Sequence, residues 1–212
     1  EDISALRVCS RGMSAEQDLT QNLPAGVVLA ATPLGNAADA SPRLAQALAT
    51  ADVIAAEDTR RTRALAAALG VEIAGRVVSN FDHNEESRVR ELLDAARAGT
   101  VVVVTDAGMP LVSDPGHSIV AAAHDAAIPV TCIPGPSAVT TALALSGLNV
   151  GHFIFDGFAP RKAGARRAWL ETLVHERRAV CCFESPHRIE QLLHDAADVL
   201  GAERRAAVCR EL

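Results

Sequence analysis

Short apolar runs alternate with segments in which apolar residues recur every three or four positions over the first two thirds of the chain. The runs are typical of buried strands and the periodic segments of helices. We predict strands at residues 27–31, 53–56, 77–78, 101–104 and 130–133. We predict helices at residues 42–51, 61–69, 85–97, 117–126 and 138–145. Because strands joined by helices pair in parallel, this pattern predicts an α/β fold with a parallel sheet covered by helices on both faces.

The pattern restarts after the segment SGLNVG, residues 146–151, whose glycine and asparagine content is typical of a boundary. Beyond it we predict strands at residues 153–155, 179–183 and 206–209, and helices at residues 169–175 and 189–200. The expected division is a flexible N-terminal extension (1–26), an N-terminal α/β domain (27–146) and a partial C-terminal α/β domain (147–212).

The composition excludes several classes of protein. Apolar residues make up 49% of the 212, enough for a packed core, and no apolar run approaches the length of a membrane helix. A net charge of −6 and 3% aromatic residues exclude a broadly basic, base-stacking surface for nucleic acid. The single lysine, Lys162, and the lack of a G-x-x-x-x-G-K-[ST] motif argue against pyridoxal enzymes and P-loop proteins. Five cysteines without C-x-x-C spacing argue against disulfide scaffolds and structural zinc, and indicate a reducing cytoplasm.

Two motifs follow the first two predicted strands. TPLGN, residues 32–36, is a tight turn that lacks the G-x-G-x-x-G pattern of nicotinamide and flavin sites. In AEDTRRTR, residues 56–63, Glu57 and Asp58 are candidates for a general base or metal ligands, and Arg60, Arg61 and Arg63 for phosphate contacts. A capped helix start with a solvated basic face explains this second motif equally well.

Asp82 and His83 lie together in NFDHNEE, residues 80–86, after the third predicted strand. A metal site would need a second histidine at ligand spacing, which is lacking, so a structural or substrate-contacting role is favoured.

Two loops rich in proline and glycine, TDAGMPLVSDPG (105–116) and IPGPSA (133–138), follow the fourth and fifth predicted strands. The carboxyl ends of parallel strands meet at one edge of a sheet, where open α/β sheets bind their ligands. Rigid backbone N–H and C=O groups with few side chains in the way suit the fixed hydrogen-bonding pattern of a nucleoside.

The second unit carries two polar motifs. FAPRKAGARRAW, residues 158–169, places four basic residues within seven positions, a local anion site suited to nucleic-acid phosphates or a solvated helix start. FESPHR, residues 183–188, ends a predicted strand with Glu184, His187 and Arg188, which either cap the next helix or face a cleft.

Taken in order, the motifs TPLGN, AAEDTRRT, DHNE, TDAGMPLVSDPG, PGPSA, GFAPRK and ESPHR resemble the ribosomal RNA small subunit methyltransferase I proteins, a branch of the tetrapyrrole (corrin/porphyrin) methylases. The resemblance runs from about Val27 to the end of the chain. It implies two α/β domains, the second with a mixed sheet that is incomplete here, an S-adenosylmethionine site in the cleft between them, and a homodimer. It also implies methylation of the ribose 2′-hydroxyl of a cytidine in small-subunit (16S) ribosomal RNA.

Motif positions in this family place specific contacts on this chain. The cofactor contacts implied are Leu34, Gly108, Met109, Val112, Ser137 and Ala138. The RNA contacts we assign are Arg60, Arg161, Lys162, Arg166 and Arg167. For the base that removes the hydroxyl proton we favour Glu57 and Asp106, carboxylates at strand ends, over Asp58, His83, Lys162 and Glu184.

Methyl transfer from a sulfonium is an in-line displacement that requires alignment and removal of a proton, so we expect no metal. Many corrin methylases have Gly-Asp-Pro where this chain has Ala-Gly-Met-Pro, so backbone contacts must serve at Met109. Two alternatives stay open: a corrin or porphyrin precursor C-methyltransferase, and a non-catalytic RNA-binding assembly factor.

Overall fold

The structure is a computed structural model that describes residues 23–80, 85–112 and 117–211. The strands are β1 (Gly26–Ala30), β2 (Val53–Ala56), β3 (Arg76–Ser79), β4 (Thr100–Val104), β5 (Val130–Ile133), β6 (Phe153–Phe158) and β7 (Ala179–Phe183). The helices are α1 (Pro42–Thr50), α2 (Thr59–Ala68), α3 (Glu85–Ala98), α4 (His117–Asp125), α5 (Ala138–Leu145), α6 (Ala163–Thr172) and α7 (Ile189–Leu200).

The first five strands form one sheet in the order β3-β2-β4-β1-β5, with all pairs parallel. The register places Val27 of β1 beside Val101 of β4 and Val130 of β5. This confirms the predicted α/β fold with a parallel sheet, whose central strand is β4.

Each face of this sheet has its own apolar core. Val28, Ile54 and Val102 lie on the face covered by Leu44 and Leu48 of α1. Alternate strand residues such as Val101 point to the other face, where they pack with residues of α3 and α4. Side chains alternate across a strand, so a strand buried on both faces reads as a continuous apolar run, as VVVV does in β4.

The predicted N-terminal extension overlaps the fold at its end. Residues 1–22 lie outside the described part of the chain, but Leu23 packs against the first core and β1 already begins at Gly26. The hydroxyl of Thr100 donates to the carbonyl oxygen of Pro24 at 2.9 Å. We therefore propose that residues 23–26 belong to the N-terminal domain rather than to the extension.

Helix caps explain where two of the helices begin. Ser41 Oγ accepts from the Leu44 amide at 3.1 Å at the start of α1, as the Ser-Pro sequence predicts. The predicted start of α2, at residue 61, is two residues late. The Asp58 side chain accepts from the amides of Arg60 and Arg61, so the helix begins at Thr59.

The second unit is built on a parallel pair, β6 and β7, with an irregularity between Phe155 and Phe158 where Gly157 has φ +66°. A mixed sheet was predicted, but both strands of the described part run in the same direction. Residues 206–209, predicted to be a strand, are irregular because they pair with neither strand. We propose that the boundary between the two units lies near Ser146, where α5 ends.

Within the described ranges, no helix combines the length and the apolar character that crossing a bilayer would require.

Candidate functional site

Loops that follow β1 and β4 are joined by backbone hydrogen bonds at the carboxyl edge of the first sheet. The amide of Thr32 donates to the carbonyl oxygen of Gly108 at 2.9 Å, and the Gly108 amide donates to the Thr32 carbonyl at 3.0 Å. The Thr32 hydroxyl also donates to the carbonyl oxygen of Thr105 at 3.1 Å. These three bonds fix the two loops against each other.

Gly108 is the point where a third loop joins them. Its φ is +86°, and a Cβ added there would lie 3.3 Å from Leu34 Cδ2, 3.6 Å from the Pro136 carbonyl oxygen and 4.0 Å from Ser137 Cα. Glycine therefore allows the loops after β1, β4 and β5 to approach closely. Three residues that the family resemblance assigns to the cofactor, Leu34, Gly108 and Ser137, are neighbours in the fold.

A cleft of about 370 Å³ opens beside this junction. One wall is the β1 loop from Thr32 to Gly35, another is formed by Asp106 and Ala107, and the third is the face of α2 that carries Arg61 and Leu65. The wall is mainly apolar, with one carboxylate and one guanidinium facing the space. This volume lies within the range of about 300–1,000 Å³ that is typical of small-molecule sites.

The two carboxylates predicted as catalytic candidates do come together, because β2 and β4 are neighbours and end at the same edge. Glu57 Oε2 accepts from the hydroxyl of Thr105 at 2.6 Å and from the amide of Asp106 at 3.0 Å. Of the two carboxylates, Asp106 lines the cleft, whereas Glu57 holds the chain at the end of β4.

Asp106 is held at both of its carboxylate oxygens. Oδ1 accepts from the Asp58 amide at 3.1 Å, and Oδ2 lies 3.3 Å from Nη1 of Arg61. Burial raises the pKa of Asp106, the negative charge of Glu57 adds to the rise, and the positive charge of Arg61 opposes it. The Asp106 side chain keeps 22% of its surface exposed, so solvent and ligands can reach it.

Asp58 serves a different purpose from the other two carboxylates. Besides capping α2, it pairs with the side chain of Arg60, which donates from Nη2 to Oδ2 at 3.1 Å. Hydrogen bonds from Arg60 lower the pKa of Asp58. Arg60, predicted to bind RNA, is highly exposed at the start of α2 and forms an ion pair with Asp58.

The other predicted cofactor residues lie along the loops that meet at Gly108. Met109 is half-buried, and Val112 is 42% exposed at the last described position of its loop. Leu111, between them, has φ +72°, which is strained for a leucine. Ser137 and Ala138 begin α5, where Ser137 makes no capping bond with its side chain. Residues 113–116, with Asp114 and Pro115, and the predicted pair Asp82 and His83 lie outside the described residues.

The basic cluster of the second unit divides into exposed and buried residues. Arg161 and Lys162 are exposed just before α6, and Arg167 is 45% exposed beside Asp198. Arg166 differs: its side chain is 5% exposed, and its Nε donates to Asp195 Oδ2 at 2.6 Å. A buried ion pair between α6 and α7 thus occupies the guanidinium of Arg166, and we leave this residue out of the RNA contacts proposed below.

Glu184, one of the alternative base candidates, is buried at the end of β7. Its side chain is 2% exposed and pairs with Arg188 at 2.7 Å. Burial acts to raise the pKa of Glu184, but hydrogen bonds from Arg188 and from the Ser185 amide outweigh it, so the pKa lies below its usual value. This pairing at i,i+4 fixes the start of α7.

Three residues of the cleft are missing from the predicted catalytic, cofactor and RNA contacts, although Arg61 was a candidate for phosphate binding. Thr32 and Thr105 carry the hydrogen bonds that join the loops, and Arg61 is the cation that faces Asp106. A signal for Arg61 existed, because the first turn of a helix that follows a strand beside β4 lies at the same edge as Asp106. In the part of the chain with described coordinates, no group of three or more histidine, cysteine, aspartate or glutamate side chains is placed to hold a metal.

Comparisons with a family model and with curated relatives identify the same family. The family model of the tetrapyrrole (corrin/porphyrin) methylases matches residues 26–212. The chain is 62% identical over 187 residues to the ribosomal RNA small subunit methyltransferase I of Mycobacterium tuberculosis (strain ATCC 25618 / H37Rv), which covers 88% of this chain and 66% of that protein. It is 44% identical over 190 residues to the protein of the same name from Xylella fastidiosa, covering 89% and 69%.

The chain thus spans about two thirds of the length of these relatives. Among solved structures, the uroporphyrin-III-C-methyltransferase of Thermus thermophilus is similar with a TM-score of 0.48 and 22% identity, over 65% of this chain and 60% of that one. Methyltransferases of the matched family use S-adenosylmethionine as methyl donor. The resemblance seen in the seven sequence motifs is confirmed. The chain belongs to the tetrapyrrole (corrin/porphyrin) methylase family and, within it, to the ribosomal RNA small subunit methyltransferase I proteins.

Proposed function

We propose that the protein transfers a methyl group from S-adenosylmethionine to the ribose 2′-hydroxyl of a cytidine in small-subunit (16S) ribosomal RNA. The observation that carries the proposal is the Asp106 carboxylate on the wall of a cleft at the carboxyl edge of the sheet. The names of the relatives support the class of substrate, since each is a ribosomal RNA small subunit methyltransferase I.

The cleft has the character that a nucleoside cofactor requires. Its apolar wall, which includes Leu34 and Leu65, suits the faces of a purine and a sugar. Gly108 lies behind this wall, where its lack of a side chain leaves room for Leu34. We propose cofactor contacts at Leu34, which lines the cleft, and in the loops that meet beside it, at Gly108, Met109, Val112, Ser137 and Ala138. When bound, S-adenosylmethionine supplies a methyl group activated by a sulfonium.

Asp106 is the residue that we propose as general base. A ribose hydroxyl is weakly acidic, so a carboxylate with a raised pKa is a better proton acceptor than an ordinary one. Burial raises the pKa of Asp106, and the Asp58 amide holds Oδ1, so Oδ2 is the oxygen placed to accept the proton. Glu57 acts as a positioning residue, because it fixes the Asp106 amide and the Thr105 hydroxyl.

RNA contacts are proposed at the exposed cations Arg60, Arg161, Lys162 and Arg167. Local anion sites on an acidic protein fit phosphate binding better than a general affinity for nucleic acid. We further propose that the protein acts as a homodimer in the cytoplasm, as the family resemblance implies. Sedimentation equilibrium would test the dimer, and a monomer at concentrations at which the enzyme is active would contradict it.

The test uses tritium-labelled S-adenosylmethionine and small ribosomal subunits from a strain that lacks the modification. Label should enter the RNA, and digestion to nucleosides should give 2′-O-methylcytidine. The Mycobacterium tuberculosis relative is the positive control. Asp106→Asn should lose most of the activity, whereas Asp94→Asn, an exposed aspartate of α3, should not.

Two results would contradict the proposal. Label that enters only uroporphyrinogen-type substrates would indicate a tetrapyrrole C-methyltransferase. Tight binding to small subunits without any methyl transfer, under conditions in which the control enzyme is active, would indicate a non-catalytic assembly factor.

A further inference from the structure

Arg61 forms a contact with Asp106 that a ligand can replace. The ion pair joins one terminal nitrogen, Nη1, to one carboxylate oxygen, Oδ2, at 3.3 Å, and the Arg61 side chain is 70% exposed. An exposed ion pair of this kind contributes little to stability. By contrast, guanidinium groups bind phosphate or carboxylate through two parallel hydrogen bonds, which is a stronger arrangement. An anionic ligand in the cleft would therefore compete well for Arg61.

Asp106 would keep its position if Arg61 moved away. Its Oδ1 accepts from the backbone amide of Asp58, and its own amide donates to Glu57. Both contacts are independent of Arg61, so only Oδ2 would lose its partner. The cleft lies on the same side, since Arg61 and Asp106 both line it.

We propose that Arg61 is a positioning residue that couples binding of an anionic group to release of the Asp106 carboxylate. In the free protein Arg61 pairs with Oδ2 and makes Asp106 a weaker base than it would be without this partner. When a phosphate of the RNA or the carboxylate of the cofactor's methionine portion enters the cleft, Arg61 binds that anion and Oδ2 becomes available for the proton. The inference rests on the proposed function in assigning Asp106 as the base.

The charges around Asp106 determine in which direction its pKa should change when Arg61 is removed or binds an anion. Burial and the negative charges of Glu57, at the end of β2, and Asp58, at the start of α2, raise the pKa of Asp106, and Arg61 of α2 lowers it. Removing Arg61, or occupying it with an anion, should therefore raise the pKa of Asp106. Since the base must be ionised to act, the acid limb of the activity profile should then move to higher pH.

The first measurement is the pH dependence of kcat/KM for wild type, Arg61→Ala and Arg61→Lys. Arg61→Ala should shift the acid limb to higher pH, and Arg61→Lys, which keeps the charge, should shift it less. Arg90→Ala is the matched control, since this exposed arginine lies on α3, which packs on the opposite face of the sheet from α2. Equal profiles for Arg61→Ala and Arg90→Ala would overturn the proposal.

Binding measurements identify the source of the anion. If the cofactor supplies it, Arg61→Ala should weaken S-adenosylmethionine binding about tenfold in calorimetry, the size expected for a hydrogen-bonded charged pair. If the RNA supplies it, cofactor affinity should be unchanged and RNA affinity should fall by a similar factor. A variant that binds both ligands as tightly as Arg90→Ala does would overturn the proposal.

A third measurement does not depend on methyl transfer. Carbon-13 NMR of the Asp106 carboxyl group gives its titration directly, with inorganic phosphate as the probe anion. Phosphate should raise the pKa of Asp106 in wild type and leave it unchanged in Arg61→Ala. An unchanged titration in wild type at saturating phosphate would overturn the coupling. If phosphate acts as expected while no methyl transfer occurs in any assay, the proposed function fails and the coupling stands.

Discussion

Replacing Gly108 by alanine is expected to destabilise the fold and disturb the cleft together. The backbone at Gly108 has φ +86°, a conformation that strains an L residue by about 1–3 kcal/mol. The added Cβ would also lie 3.3 Å from Leu34 Cδ2, so Leu34 or its loop must move. Overpacking of this kind adds about 1–3 kcal/mol. Together these effects predict a loss of about 2–6 kcal/mol.

Gly70 provides a control that separates the two effects. It follows α2, has φ +67°, and a Cβ there would meet nothing within 4 Å. Gly70→Ala should therefore show backbone strain alone, about 1–3 kcal/mol. In a Leu34→Ala background, where the contact is absent, the effect of Gly108→Ala should fall towards that of Gly70→Ala.

Urea unfolding of the four variants and the wild type gives these differences from the midpoints, provided that the slopes agree. Calorimetry with S-adenosylmethionine should show weaker binding for Gly108→Ala and unchanged binding for Gly70→Ala. The reasoning is refuted if Gly108→Ala loses no more stability than Gly70→Ala, or if Leu34→Ala does not reduce its effect.

Three further predictions concern a helix cap, the basic cluster and a half-buried thiol. Asp58→Ala should lower the urea midpoint, and Asp58→Asn should lower it less because asparagine also caps helices. Hydrogen bonds from Arg60 lower the pKa of Asp58, so the stability that the ionised carboxylate adds is complete above the unfolded pKa of about 3.9. This stability is lost as the pH falls through the pKa of the folded protein. The urea midpoints of wild type and Asp58→Asn should therefore converge in acid. Arg166→Gln should lower the midpoint, whereas Arg167→Gln should keep it and reduce the salt slope of RNA binding by about one; the opposite pattern would return Arg166 to the RNA-binding set. Burial raises the pKa of Cys182 to about 11, so iodoacetamide should modify it slowly at neutral pH, as mass spectrometry of its peptide would show.

Much of the first domain can be predicted from the sequence because its strands are buried on both faces. Such strands appear as unbroken apolar runs, and β2 and β5 begin and end at the predicted residues. The choice of Glu57 and Asp106 also follows from the sequence, since both residues come after strands of one parallel sheet and so lie at its carboxyl edge. The order of the strands in the sheet cannot be predicted in this way, because it depends on how the connecting helices pack and no local pattern encodes it.

The second unit shows why other features could not be predicted. Helix α6 begins six residues before the predicted start, since its buried face includes Arg166, a polar residue at a core position. Arg166 is buried only because Asp195, 29 residues away, neutralises it. Periodicity counts apolar residues and therefore misses such a pair. The position of Arg61 at the cleft likewise depends on tertiary contacts, such as that with Asp106, which no local sequence pattern shows.

The order of strands in the first sheet has a consequence for synthesis on the ribosome. Of the five strands of this sheet, β1 emerges from the ribosome first, yet its two neighbours are β4 and β5, the two that emerge last. The pair β2 and β3 can form early, whereas the apolar residues of β1 must wait for most of the domain to be translated. Non-local pairing of this kind slows folding and exposes apolar surface. The nascent chain should therefore recruit chaperones until about residue 133 has left the exit tunnel, when β5 is complete.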